Sequence, residues 1–109
     1  MDPGESAAEC CAREVLEETG LVVEVGRLIG VYTTPDLVVE YDHYPNVNRV
    51  QPISLCFTAK IVGGQLSLSD ETTEVGYYSV EDIKAMGVWE HHRHRIEDAF
   101  ADVDAAFVR

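Results

Sequence analysis

Basic residues are scarce in this sequence: eight Lys and Arg stand against twenty Asp and Glu, a formal net charge of -12 over 109 residues. That imbalance repels a nucleic-acid backbone and an anionic membrane surface, so duplex binding is excluded unless a local patch or bound cations reverse the field. An anionic small-molecule substrate fits only where divalent metal stands between it and the carboxylates. Cysteine is also sparse. Cys10, Cys11 and Cys56 form neither a disulfide framework nor a C-x-x-C metal knuckle, so they read as reduced core or near-core thiols of a cytoplasmic protein. No apolar run approaches the roughly 20 residues of a membrane span, and the acidic N-terminus lacks the charged region of a signal peptide. Repeats, low-complexity tracts and linkers are absent too. What is present is ordinary for a folded domain, 46% hydrophobic and 26% charged residues, so residues 1–109 are expected to share one core.

Read along the chain, the first element is a helix over residues 7–19. Ser6 followed by Glu9 makes a capping box at its start, and Gly20 supplies the left-handed C-cap at its end. Residues 21–33 are β-branched and interrupted by Gly26 and Gly30, which predicts two short strands or one bent one. A further strand is expected over 37–44, with Pro35, Pro45 and the polar 46–49 stretch marking loops. Residues 53–62 are the strongest strand, and Gly63-Gly64 is expected to turn residues 65–68 back as a hairpin partner. A short strand over 75–79 and a helix from Ser79 to about Met86 follow. Beyond Trp89, apolar residues at Ile96, Ala99, Phe100, Val103 and Phe107 fit an amphipathic helix. The order helix, strands, helix is α+β.

On a helical wheel with Glu14 at zero, Glu17 falls at about -60°, Glu18 at about +40° and Cys10 at about -40°. Three carboxylates thus share one broad face, while Ala8, Ala12, Val15 and Leu16 form the stripe expected to pack on a sheet. Like charges at i,i+3 and i,i+4 near a helix C-terminus destabilise it by a few tenths of a kcal/mol per pair. Hard oxygen ligands on a rigid element are what Mg²⁺ or Mn²⁺ takes, and a bound cation cancels that repulsion; a solvated acidic face is the plainer alternative.

Gly4-Glu5-Ser6 followed by Arg13-Glu14-Val15-Leu16-Glu17-Glu18-Thr19-Gly20-Leu21 resembles the Nudix box, G-x5-E-x7-R-E-U-x-E-E-x-G-U with U aliphatic. Glu5 falls on the first Glu, Arg13-Glu14 on R-E, Glu17-Glu18 on E-E and Gly20-Leu21 on the closing G-U. The resemblance implies a Nudix-type α/β/α sandwich with a mixed sheet. It also implies a Mg²⁺- or Mn²⁺-dependent hydrolase that cleaves a phosphoanhydride of a nucleoside diphosphate linked to another moiety. By the same resemblance Glu17 and Glu18 carry most of the metal ligation, and Glu14 is a further ligand or the base that activates water. Arg13 orients the neighbouring carboxylates, and Glu5 anchors the loop entering the helix or completes the metal site. The segment Ser69-Asp70-Glu71-Thr72-Thr73-Glu74 resembles the loop from which many members add a carboxylate; Glu71 is assigned that role, with Glu74 in reserve.

The resemblance runs from about Asp2 to Met86 and begins inside the motif: its first Gly would fall upstream of Met1, and the strands that normally precede the box are absent. A carbonyl near that Gly commonly ligates metal in the family. Three readings stay open: a chain that begins late in a longer product, a sheet completed by a second copy, or a naturally shortened, catalytically impaired module that binds nucleotide or metal or acts in interactions. A sheet lacking strands exposes unpaired backbone groups, so a homodimer or larger homo-oligomer covering that edge is expected.

Residues 89–95, Trp-Glu-His-His-Arg-His-Arg, are the one place where the acidic field reverses. Trp89 and Arg93 are candidate contacts for a base and a phosphate, and Tyr41 and Arg49 in the loop-rich middle are candidate substrate contacts. A zinc site in the same stretch lacks a matching Cys or His cluster, and a polar helix face that offsets the acidic body is the plainer reading.

Overall fold

The Ser6 Oγ accepts the Glu9 N–H at 3.1 Å, and helix α1 runs from that cap over Ala7–Thr19, the span expected from the sequence. At its other end Gly20 adopts φ 79°, the left-handed region that only glycine enters without strain, and its N–H donates to the Leu16 carbonyl. The computed structural model describes residues 1–35, 38–43, 46–67, 90–101 and 103–109. The strand and helix expected over 75–86 lie outside those residues.

Strand β1 (Leu21–Thr33) leaves Gly20 directly and pairs antiparallel with β4 (Ile53–Gly64) along almost its whole length. The sequence left one bent strand or two short ones open; one bent strand forms, with register shifts at Val22/Val23, Val25/Leu28 and Leu28/Gly30. Each irregularity adds local twist and lets the 13-residue strand coil while staying paired. The Gly63-Gly64 turn expected from the sequence does not form. Both glycines stay in β4, opposite Val22 and Leu21. Gly64, at φ 78°, sits against the Gly20 carbonyl at a separation that leaves no room for a Cβ. Instead of returning as a strand, residues 65–67 run past the end of α1. The Gln65 N–H donates to the Gly20 carbonyl at 3.2 Å and the Ser67 N–H to the Thr19 carbonyl at 2.8 Å. These bonds satisfy helix-end carbonyls that a hairpin would have left open.

The stretch read as loop over 46–49 is a strand. β2 (Val39–His43) and β3 (Asn46–Val50) pair antiparallel from Val39 opposite Val50 to His43 opposite Asn46. Arg49 closes this hairpin, its Nε 3.2 Å from Glu40 across the pair.

Helix α2 (Glu90–Phe100) is shorter than the apolar spacing suggested. Val103 and Phe107 are not on it; β5 (Phe107–Val108) lies parallel to β1 at Gly30 and Val31. The reason is hydrogen bonding: the Arg109 N–H donates to Val31 and the Thr33 N–H to Arg109, both at 2.9 Å, so the chain's end gains sheet partners that a helix end lacks. Among the described residues the sheet order is β4-β1-β5, mixed, with α1 and α2 both packed on β1, an α+β arrangement. No helix among them is long and apolar enough to cross a membrane.

Leu21, Ile29 and Tyr32 are the buried hydrophobic residues among those described, all on β1. Ala8 and Leu16 of the expected α1 stripe are exposed, whereas Ala12 and Val15 are half-buried. The bonds from Thr19 and Gly20 to residues 65–67 set the rotation of α1 and turn its Ala7, Cys11 and Val15 arc toward β4. One buried carboxylate joins the two ends of the fold. Asp98 on α2 accepts the Tyr32 hydroxyl at 2.9 Å and takes the Arg109 guanidinium on both oxygens, at 2.8 and 2.9 Å. The Arg109 bonds hold Asp98 below the usual carboxylate range, while burial and the bond to Asp98 push Tyr32 up to about 12.

Tyr32→Phe, which removes the hydroxyl bonded to this carboxylate, is expected to cost about 1–3 kcal/mol in urea denaturation at neutral pH. Because the folded-state pKa of Asp98 is depressed, its stabilisation is present above the ordinary Asp value of about 3.9 and is lost as pH falls through the lower folded value. The stability gap between the wild-type chain and Asp98→Asn therefore closes on acidification; a gap constant from pH 7 to pH ~2 contradicts this assignment.

Candidate active site

Helix α1 separates its charged residues onto two arcs. On one, Arg13 is gripped from both sides. Its Nε and Nη2 donate to Glu5 at 2.6 and 3.2 Å, and its Nη1 donates to both oxygens of Glu17 at 3.2 Å. Glu5 also accepts the Asp2 N–H at 2.9 Å, which ties the chain entering the helix to the helix itself. Its side chain is only 13% exposed, and the Arg13 bonds, with help from the Asp2 amide, lower its pKa to about 2. Arg13 is shifted up by the same pair. Of the two roles the resemblance left for Glu5, the bonds support the anchor. The Glu17 half of the clamp is looser, with a 61% exposed carboxylate, and an exposed i,i+4 pair contributes only about 0.3–0.5 kcal/mol.

On the other arc, Ala7, Cys10, Cys11, Glu14, Val15 and Glu18 line a cleft of about 520 Å³ between α1 and residues 53–57 of β4. The i, i+4, i+8 spacing of Cys10, Glu14 and Glu18 puts both carboxylates on the cleft wall. Cys56 faces the same space from β4, and Arg95 reaches it from α2. All three thiols are free of disulfides, and burial pushes Cys11 and Cys56 up, which makes those two poor nucleophiles near neutrality.

The three-carboxylate face expected from the wheel is therefore divided: Glu14 and Glu18 line the cleft, and Glu17 turns to Arg13. Among the described residues no three His, Cys, Asp or Glu side chains converge as a ready metal cage. The donor set nevertheless fits a hard divalent cation. Mg²⁺ is commonly held by one or two carboxylates, with waters and substrate phosphates filling the remaining positions. Glu17 keeps acceptor capacity as well, since each of its oxygens takes a single Arg13 bond.

Glu71, Glu74 and Trp89 lie outside the described residues, as do the side chains of Tyr41 and Arg93. Arg49 is spent on Glu40 in the β2–β3 hairpin and is not among the cleft-lining residues. Arg95, two residues beyond the Arg93 singled out from the sequence, is the cation that lines the cleft among the described residues. A signal for it was available: Arg95, Asp98 and Ala99 stand at i, i+3 and i+4, one side of a helix whose Asp98 is buried.

With helix, clamp and cleft in place, the likeness to known proteins is specific. The chain belongs to the Nudix family: the NUDIX domain model matches residues 1–99. It is 31% identical over 83 residues to a protein of Methanocaldococcus jannaschii named ADP-ribose pyrophosphatase, an alignment covering 76% of this chain and 44% of that protein. It is 37% identical over 76 residues to a protein of Bacillus subtilis named putative 8-oxo-dGTP diphosphatase, covering 70% of this chain and 42% of that one. The chain thus spans less than half the length of these curated relatives.

Replacing Arg13 tests the clamp directly. In Arg13→Gln the Glu5 carboxyl is expected to titrate well above its wild-type value of about 2, with the Asp2 amide still lowering it, as followed by carboxyl-carbon NMR. The anchored loop, stable in the wild-type chain until pH falls toward that lower value, then loosens at higher pH; an unchanged Glu5 titration removes Arg13 as its cause.

Proposed function

We propose that this chain carries a Nudix pyrophosphohydrolase site for a nucleoside diphosphate linked to another moiety, working with Mg²⁺ or Mn²⁺. The observation that carries the reading is the pair Glu14 and Glu18 on the wall of a cleft of about 520 Å³, on a helix whose entry is anchored by Glu5 and Arg13. Relatives named for ADP-ribose and 8-oxo-dGTP point to substrates of that class. Glu14 and Glu18 would hold the cation, with Glu17 exchanging its exposed Arg13 contact to join them and Glu71 as a further carboxylate. A divalent cation held there would neutralise the diphosphate and lower the pKa of the attacking water.

The chain's own groups do the rest. Glu14, an acceptor when ionised, takes the proton from water as its oxygen bonds to phosphorus, and the phosphoanhydride P–O bond breaks with its electron pair leaving on the departing phosphate. Arg13 keeps the helix entry oriented through Glu5 and does not touch the reacting atoms. The walls formed by Val15 and residues 53–57 exclude water from one side of the substrate. The free thiols fit a reducing cytoplasmic setting.

ADP-ribose and 8-oxo-dGTP, each supplied with Mg²⁺ and with Mn²⁺, are the substrates to assay for phosphate-ester products. Glu14→Gln and Glu18→Gln are each expected to lower kcat about 100-fold or more with an unchanged circular dichroism spectrum. Tight nucleotide binding without turnover by the wild-type chain selects the alternative, a non-catalytic nucleotide-binding module. Self-association belongs to the same reading, supported by Ile61 and Val62 of β4, away from the cleft, at 48% and 54% exposure; a monomer in sedimentation across the concentration range rejects it.

A further inference from the structure

We infer that Arg95 is the anion-gripping residue of this cleft, donating its guanidinium fork to the diphosphate of a nucleotide substrate whose cation is held by Glu14 and Glu18. The inference rests on the proposed function and names the residue that would set substrate affinity within it.

Three observations carry it. First, Arg95 comes from α2, yet it lines the same cleft as Glu14 and Glu18 of α1. A cation and two carboxylates bordering one space suit a ligand that brings both a metal and phosphate oxygens, and suit neither a simple anion nor a simple cation. Second, the guanidinium is not consumed by the fold. Its Nε is buried with no hydrogen-bond partner among the described residues, and Arg95 forms no ion pair among them. Arg13 and Arg109, by contrast, are each bonded to carboxylates of the fold. A buried charged donor without an acceptor is costly, and a phosphate oxygen is the acceptor that a planar fork matches best.

Third, the group is held in advance. The Arg95 Cζ lies 5.4 Å from the centroid of the Tyr32 ring, within cation–π range. Tyr32 is itself fixed by its hydroxyl bond to Asp98, which Arg109 holds in turn. Gly30 is what lets the ring lie where it does, because a Cβ there would stand 2.7 Å from the Tyr32 hydroxyl. A guanidinium resting on a fixed arene loses little freedom when a ligand arrives, and that is how preorganisation raises affinity.

The test is a titration of the wild-type chain with inorganic pyrophosphate, with and without Mg²⁺, following the Arg95 Nε–H resonance by NMR and the heat of binding. The resonance is expected to shift on binding. In Arg95→Gln the dissociation constant is expected to rise about 10- to 100-fold, with Arg95→Lys in between. With ADP-ribose as substrate, the loss is expected chiefly in KM, with kcat changed far less. Circular dichroism and thermal melts check that the variants fold, and the wild-type resonance decides the matter if they do not. Binding with an unmoved Arg95 resonance and unchanged variant affinities overturns this inference and leaves the proposed function standing. A wild-type chain that neither binds pyrophosphate nor turns over either nucleotide overturns both.

Discussion

The contact on which the rest of the structure depends is the meeting of two glycines, Gly20 at the end of α1 and Gly64 at the end of β4. Both have left-handed φ, 79° and 78°, and neither leaves room for a side chain against the other strand. Their approach starts the β1–β4 ladder in one register and brings residues 65–67 onto the last carbonyls of the helix. The helix is then pinned by its C-terminal end, and its Glu14 and Glu18 arc is fixed opposite the other half of β4. Any residue larger than glycine at either place forces the helix and strand apart, and with them the two walls of the cleft.

From that fixed geometry the charges divide their work. Arg13 and Glu5 form a short, partly shielded pair that holds the helix entry, whereas Glu17 contributes an exposed and exchangeable contact. Glu14 and Glu18 are the carboxylates that line the cleft among the described residues. The second charged cluster, Arg109–Asp98–Tyr32, sits on the other flank of β1 and joins α2, β1 and the last residue of the chain. One cluster secures the acidic wall and the other supports Arg95, so the electrostatics of the cleft rest on two separate networks joined by β1.

Much of this was legible in the sequence where the physics is local. The span of α1, its Ser6 cap and its Gly20 stop follow from groups within a few residues of each other. The Arg13–Glu17 contact follows likewise from i,i+4 spacing. Errors arose where a segment's partner is distant. Residues 46–49 are polar and look like a loop, but pair with β2 once the connection closes. Val103 and Phe107 fit a helical period, yet Phe107 gains sheet bonds from β1 that no local pattern announces. Gly63-Gly64 reads as a turn, but serves close approach within a continuing strand.

The sequence by itself determined the family, through the spacing of Glu5, Arg13, Glu14, Glu17, Glu18 and Gly20, and with it the type of chemistry to look for. Helical periodicity places those residues on a cylinder, and a cylinder's angles follow from covalent geometry and backbone hydrogen bonding alone. Tertiary structure decided which of them meet the cleft, because that depends on how the cylinder is rotated against the sheet. It also decided that Arg95, from a distant part of the chain, borders the same cleft as Glu14 and Glu18. Such juxtapositions are set by long-range register and by the close approach of backbones, which is information that no short window of residues contains.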